Sequence, residues 1–182
     1  MMRDGRQWAG AAVAVLAICV VAGLSGGGLL SARSAARPKQ AAGGAAGGND
    51  AGRREIDAFN KKYIAAHLRM DNAAVMSMWA EDGISLLPAT DPIIGKDAIG
   101  KFMNDVTGKM PGYHMQKIDV DFQGIEASGD WASEWAEEHQ VVQPPPGRRV
   151  IDSYGKLLLV LHKESDGNWR ITREMWNQGL KP

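Results

Sequence analysis

The stretch from Asp130 to Asn177 leaves this chain the least freedom. "DWASEWAEEHQVV" and "VIDSYGKLLLVLH" are rich in β-branched, aromatic and leucine residues and flank the turn "QPPPGR", and "NWRITREMWN" follows the turn "SDG". Strands joined by connections this short pair antiparallel, because a parallel crossover needs a dozen residues or more. Upstream, "KIDVDF" alternates Ile118, Val120 and Phe122 with charged residues, the pattern of a half-exposed strand. The C-terminal half is therefore read as a meander of long strands.

The preceding segment has a different period. In "REIDAFNKKYIAAHLRMD", Ile56, Phe59, Tyr63, Ala66 and Met70 recur at spacings of three and four, which makes one apolar face on a helix. Asp71 is placed to cap a second helix, "NAAVMSMWAED", with Val75, Met78 and Trp79 facing the same core. A third helix, "GKDAIGKFMNDV", carries Ile99, Phe102, Met103 and Val106 on one side. Between the second and third lies "ISLLPATDPIIG", a short strand running into a loop bracketed by Pro88 and Pro92. Three helices followed by such a meander predict an α+β fold: a cone-shaped half-barrel in which a curved, mostly antiparallel sheet wraps the helices and encloses one cavity.

With 182 residues and 45% hydrophobic content, the chain supports one ordinary domain and an appendage. The appendage is N-terminal. Residues 1–36 start with charge, then run uncharged from Gln7 to Ser31, with Ala9 to Leu24 almost all Ala, Val, Leu and Ile. This is the pattern of a signal peptide or, uncleaved, of a membrane anchor over residues 8–30, since a span needs roughly 20 apolar residues. "LAIC" resembles a lipoprotein cleavage box only superficially, because Ile18 is large where a small residue is needed. Residues 37–52, with "QAAGGAAGGNDAG", have the composition of a flexible linker, leaving 53–182 as the folded domain. The expectation is an exported domain, periplasmic or extracellular, released or tethered.

Net charge is zero and no basic stripe exists, which excludes nucleic acid as a natural partner. The single cysteine, Cys19, lies in the apolar run, so the folded domain has no thiol for catalysis, disulfides or metal. No metal-ligand spacing and no cofactor motif is present; none is expected.

Tyr63 eight positions before Asp71, the helix end "WAED" at Trp79, the apolar strand ending at Pro88, "IIGKDAI" and the terminal "DGNWRITREMWN" together resemble the nuclear transport factor 2-like superfamily, in particular its SnoaL-like members. The resemblance covers about residues 53–178 and extends to ketosteroid isomerase. It implies a central pocket, and a fold that hosts enzymes, ligand binders and association domains alike. Carried over from the isomerase, the oxyanion tyrosine falls on Tyr63. The base aspartate falls on Leu87, the second aspartate on Leu159, and two supporting tyrosines on Trp79 and Met103. The resemblance thus implies a pocket without the isomerase carboxylates, so isomerase activity by that route is not expected. Asp91, in the nearby loop, is either a solvated turn residue or a substitute base, and turn chemistry favours the former.

If Leu157, Leu159 and Leu161 face inward, pairing across "QPPPGR" places Trp135, Glu137 and His139 inward as well, with one residue of uncertainty in register. Thr172, Glu174 and Trp176 share a face, and Trp176 matches a pocket residue of the isomerase. Tyr63, Glu137, His139 and Glu174 are then the catalytic candidates, as base and orienting partners for a lyase, cyclase or hydrolase, or else rim residues. Tyr63, Trp79, Leu87, Trp135, Leu159 and Trp176 are the candidates for binding a small apolar or aromatic ligand. His67, one turn after Tyr63, is structural or hydrogen-bonds near the cavity. The outward face of "VIDSYGK", with Val150, Asp152, Tyr154 and Lys156, suits a sheet-to-sheet homodimer, the family's common association mode.

Overall fold

The computed structural model describes residues 49–181, with side chains from residue 51. The apolar N-terminal run, Cys19 and the linker as far as residue 48 lie outside the described residues. Among the described residues, no helix is long and apolar enough to cross a membrane.

Three helices come first: α1 (Asn49–Leu68), α2 (Asn72–Met76) and, after two strands, α3 (Lys96–Thr107). Helix α1 begins inside the segment read as linker. It ends at Met70, whose positive φ of 52° breaks the helical path, and Asp71 then caps α2 by accepting a hydrogen bond from the Ala74 amide at 3.0 Å. The second helix is shorter than its apolar pattern predicts. Trp79 does not close it but opens strand β1 (Trp79–Leu86).

The six strands form one sheet in the order β2-β1-β6-β5-β4-β3, with β2 (Ile93–Ile94), β3 (His114–Ser128), β4 (Trp131–Gln143), β5 (Ile151–Lys163) and β6 (Trp169–Gln178). The meander β3 to β6 is antiparallel throughout, and β1 joins the free edge of β6 in parallel. The sheet curves around α1, whose Ile56, Phe59, Tyr63 and Ala66 are buried against Ala132, Ala136, Leu157, Leu159 and Leu161. Each such aliphatic side chain contributes about 1.5–3 kcal/mol on leaving water. Polar contacts pin the start of the helix, where Glu55 Oε2 accepts from Trp169 Nε1 and from Lys163 Nζ, both at 2.8 Å.

One feature of β4 decides which side chains meet. Leu159 pairs with Glu134, Leu157 with Ala136, Gly155 with Glu138 and Ser153 with Gln140. The register is one residue away from the sequence expectation, and every side chain of β4 changes face as a result. Trp135, Glu137 and His139 stand on the convex side, opposite Leu158, Lys156 and Tyr154. Glu134, Ala136, Glu138 and Gln140 point into the cone, all buried.

Candidate functional site

The cavity lies between the open end of the cone and α3. Its apolar wall comes from Val75 of α2, Ile99, Phe102 and Met103 of α3, Ile93 of β2, and Leu87 at the end of β1. Aromatic surface comes from Tyr63, Trp79 and Trp176, and polar groups from His67, Ser85, Glu138, Gln140 and Glu174. The empty volume is about 510 Å³ with the mouth included, but the interior is narrow: the space open to the centre of a water molecule is about 30 Å³.

Glu138 is anchored by two donors. Gln140 Nε2 donates to its Oε1 at 2.6 Å and Trp176 Nε1 donates to the same atom at 3.1 Å. The tryptophan reaches that carboxylate because of the residue between them: a Cβ on Gly155 would sit 2.3 Å from Trp176 Nε1 and 2.5 Å from its Cε2 and Cζ2. Glycine in the middle of β5 therefore leaves the slot through which the indole of β6 crosses to β4. Burial raises the Glu138 carboxyl to about 7 against the lowering effect of both donors.

Glu174, partly open to the cavity, has one weak donor: Ser85 Oγ lies 3.4 Å from its Oε1. Burial, with the nearby Glu138 charge adding to it, brings this carboxyl to about 7 as well. On α1, burial lowers His67 to about 4, so its ring is neutral at physiological pH. Its Nδ1 donates to the Tyr63 carbonyl at 2.9 Å, which leaves Nε2 as an acceptor. The Tyr63 phenol is pushed well above its usual value by burial and by Glu174, Glu138 and Glu134, so it stays protonated. The Tyr63 and His67 rings are tilted by 35° to each other with centroids 4.0 Å apart.

Deeper in the cone, Asn60 Nδ2 donates to Glu134 Oε2 at 2.7 Å, and burial raises Glu134 to about 7. This pair lies outside the cavity lining.

Of the sequence-derived candidates, the structure brings Tyr63, Trp79, Leu87, Trp176 and Glu174 to the cavity. Leu159 is fully buried in the core and opposes both Glu134 and Glu174, without lining the cavity. Trp135, Glu137 and His139 are on the outside. Trp135 lies over Gly124, where a left-handed backbone (φ 58°) accompanies a register break in β3. His139 stacks on Tyr154 with ring centroids 4.3 Å apart, and its Nε2 is 2.9 Å from Asp152 Oδ1, which places it in a surface ion-pair cluster with Lys181. Asp91 is exposed in the loop after β1 and absent from the cavity lining. The catalytic constellation of Glu137, His139 and Glu174 does not assemble. Glu138 and Gln140 take the inward positions beside Glu174, and sequence reasoning missed both, because the only signal for them was a register fixed by the length of a proline-rich turn. Among the described residues, no group of His, Cys, Asp and Glu is arranged to hold a metal ion.

The SnoaL-like domain model matches residues 51–174, and the chain belongs to that family. Similar solved structures include a ketosteroid isomerase-like protein from Erwinia carotovora atroseptica, 21% identical over 71% of this chain and 96% of that one, with a TM-score of 0.60. A conserved protein from Planctomyces limnophilus is 18% identical over 71% and 99% of the two chains, TM-score 0.62. An NTF2-like protein of unknown function from Pseudomonas putida is 17% identical over 75% and 100%, TM-score 0.57. At these identities the likeness carries the fold alone. No curated protein matches the chain.

Proposed function

We propose that this SnoaL-like domain binds a small molecule in its cavity, with the apolar part of the ligand against Phe102, Ile99, Leu87 and Trp79 and its polar group toward Glu138, Gln140 and Glu174. The observation that carries this reading is the composition of the lining: apolar side chains from α2, α3, β2 and the end of β1, aromatic rings from α1, β1 and β6, and a few polar groups from α1, β1, β4 and β6. Pockets of that composition orient a ligand by a few polar contacts and bind it by apolar area. The test is a thermal-shift panel of small aromatic and alicyclic compounds, followed by NMR of the tryptophan indole protons. A ligand should raise Tm in proportion to saturation and move the Trp176 Nε1–H resonance. A panel whose hits leave that resonance in place would sink the reading.

A second reading, catalysis, is favoured by the two cavity carboxyls that titrate near 7, which suits one to hold and the other to accept a proton at neutral pH. Glu174, with one weak donor, is the better base. In this reading Glu174→Gln abolishes turnover of any substrate found, while the exposed Asp91→Asn leaves it intact.

We also propose that the domain works outside the cytoplasm, released or held by residues 8–30, on the strength of the apolar run that precedes it. A reporter fused after Pro182 should be active only in the exported state. Its activity in the cytoplasm would refute this.

A further inference from the structure

We infer that the ligand of this cavity carries a positive charge: a small primary ammonium on an apolar or aromatic body. The inference rests on the ligand-binding reading above and follows from counting which hydrogen-bonding capacities of the lining are already used. The Trp176 indole N–H and one N–H of Gln140 are spent on Glu138 Oε1, the Ser85 hydroxyl lies toward Glu174, and the His67 Nδ1–H is spent on the Tyr63 carbonyl. Four acceptors are left: the second oxygens of Glu138 and Glu174, the His67 Nε2 lone pair, and Gln140 Oε1. Gln140 is the informative one. Its side chain is 2% exposed, it lines the cavity, and its carbonyl oxygen has no hydrogen-bond partner, a cost of about 1–3 kcal/mol unless a donor arrives. The donors that remain are the Tyr63 hydroxyl, the second N–H of Gln140 and, as pH falls below about 7, the carboxyl protons of Glu138 and Glu174.

No lysine or arginine lines the cavity. The titratable groups that face it are Tyr63 and His67 from α1, Glu138 from β4 and Glu174 from β6, with Glu134 behind them; α2, α3, β1, β2 and Leu87 present neutral side chains only. An anionic ligand would meet two carboxyls and no cation. An ammonium brings three donors to a set of unspent acceptors, and the rings of Tyr63, Trp79 and Trp176 add the attraction of aromatic faces for a cation. Because burial holds both carboxyls near 7, the ammonium must displace protons below that pH and binds better above it.

The test compares matched probes on the whole chain: benzylammonium, benzyl alcohol and benzoate, with butylammonium and butanol as a smaller pair, by titration calorimetry at pH 6 and pH 8. The expected result is that each ammonium binds at least tenfold tighter than its alcohol at pH 8, loses most of that margin at pH 6, and loses it at both pH values in Glu174→Gln. Should that variant fail to fold, the pH dependence of the ammonium-to-alcohol ratio in the wild-type chain carries the test alone. Alcohols binding as tightly as ammoniums, or benzoate binding best, would overturn the charge inference and leave ligand binding standing. Failure of every probe, charged and neutral, would overturn both.

Discussion

The two faces of β4 differ by one residue in sequence and by almost everything in environment. Inward, Glu134 and Glu138 are raised to about 7 by burial, and hydrogen bonds to Asn60, Gln140 and Trp176 only partly offset it. Outward, His139 sits beside Asp152, whose carboxyl is held below its usual value first by Lys181 and then by His139. Carboxylates are thus destabilised as charges on the inner side of β4 and stabilised on its outer side, at Asp152 of the neighbouring β5. What separates them is water: the outer cluster keeps its solvent and its ion partners, and the inner one has dipoles for partners and hydrocarbon for surroundings.

The largest contrast should come from adjacent leucines on β5. Leu159 is 0% exposed between Glu134 and Glu174, whereas Leu158 is 42% exposed opposite Trp135 and Met175. Leu159→Asp removes core volume and adds a fourth buried acid, so it should cost about 4 kcal/mol or more, read as a lower urea midpoint. Leu158→Asp should stay within about 0.5 kcal/mol. If the sheet-to-sheet homodimer expected through Val150, Asp152, Tyr154 and Lys156 forms on this convex face, that same change should also shift the sedimenting species to monomer. Equal losses of stability from the two substitutions would erase the distinction between the faces.

A smaller effect is expected from Gly155→Ala. The added methyl displaces the Trp176 indole and breaks its bond to Glu138, at a cost of about 2 kcal/mol, and the indole proton resonance should move toward its solvent-exposed position. An unchanged resonance would mean that the slot is wider than the glycine suggests.

The smallest effect is on pH. Glu134, Glu138 and Glu174 have folded values raised from 4.5 to about 7, so the folded chain keeps protons that the unfolded chain gives up, and the stability they lend at low pH is lost as pH rises through 7. His67, lowered from 6.5 to about 4, opposes this below 6.5. Tm should therefore fall most steeply between about pH 5.5 and 6.5 and level off above about 7.5, and Glu138→Gln should flatten the fall. A Tm that rises across this interval would contradict inward placement of the acids.

The helix faces and the antiparallel meander were legible in the sequence because periodicity needs no register: Ile56, Phe59, Tyr63 and Ala66 declare one side of α1 wherever the helix sits. The face of β4 was not. Its outward row holds Trp135 and Val141 and its inward row holds Glu134, Glu138 and Gln140, so hydrophobicity pointed the wrong way, and the loop from 144 to 150 decided the matter. Tyr63, Trp79, Leu87, Glu174 and Trp176 reached the cavity because their placement depended on α1, β1 and the parity of β6, none of which passes through that loop.

The glycine slot also constrains how this site can change through substitution. Any side chain at position 155 collides with the indole of Trp176, so the two positions are not independent. A lineage that first shortens Trp176 loses a donor to Glu138 and opens a cavity in the core, but can then admit a larger residue at 155. One that begins at 155 must pass through a displaced indole. Either order passes through a less stable intermediate, so the glycine and the tryptophan hold each other in place.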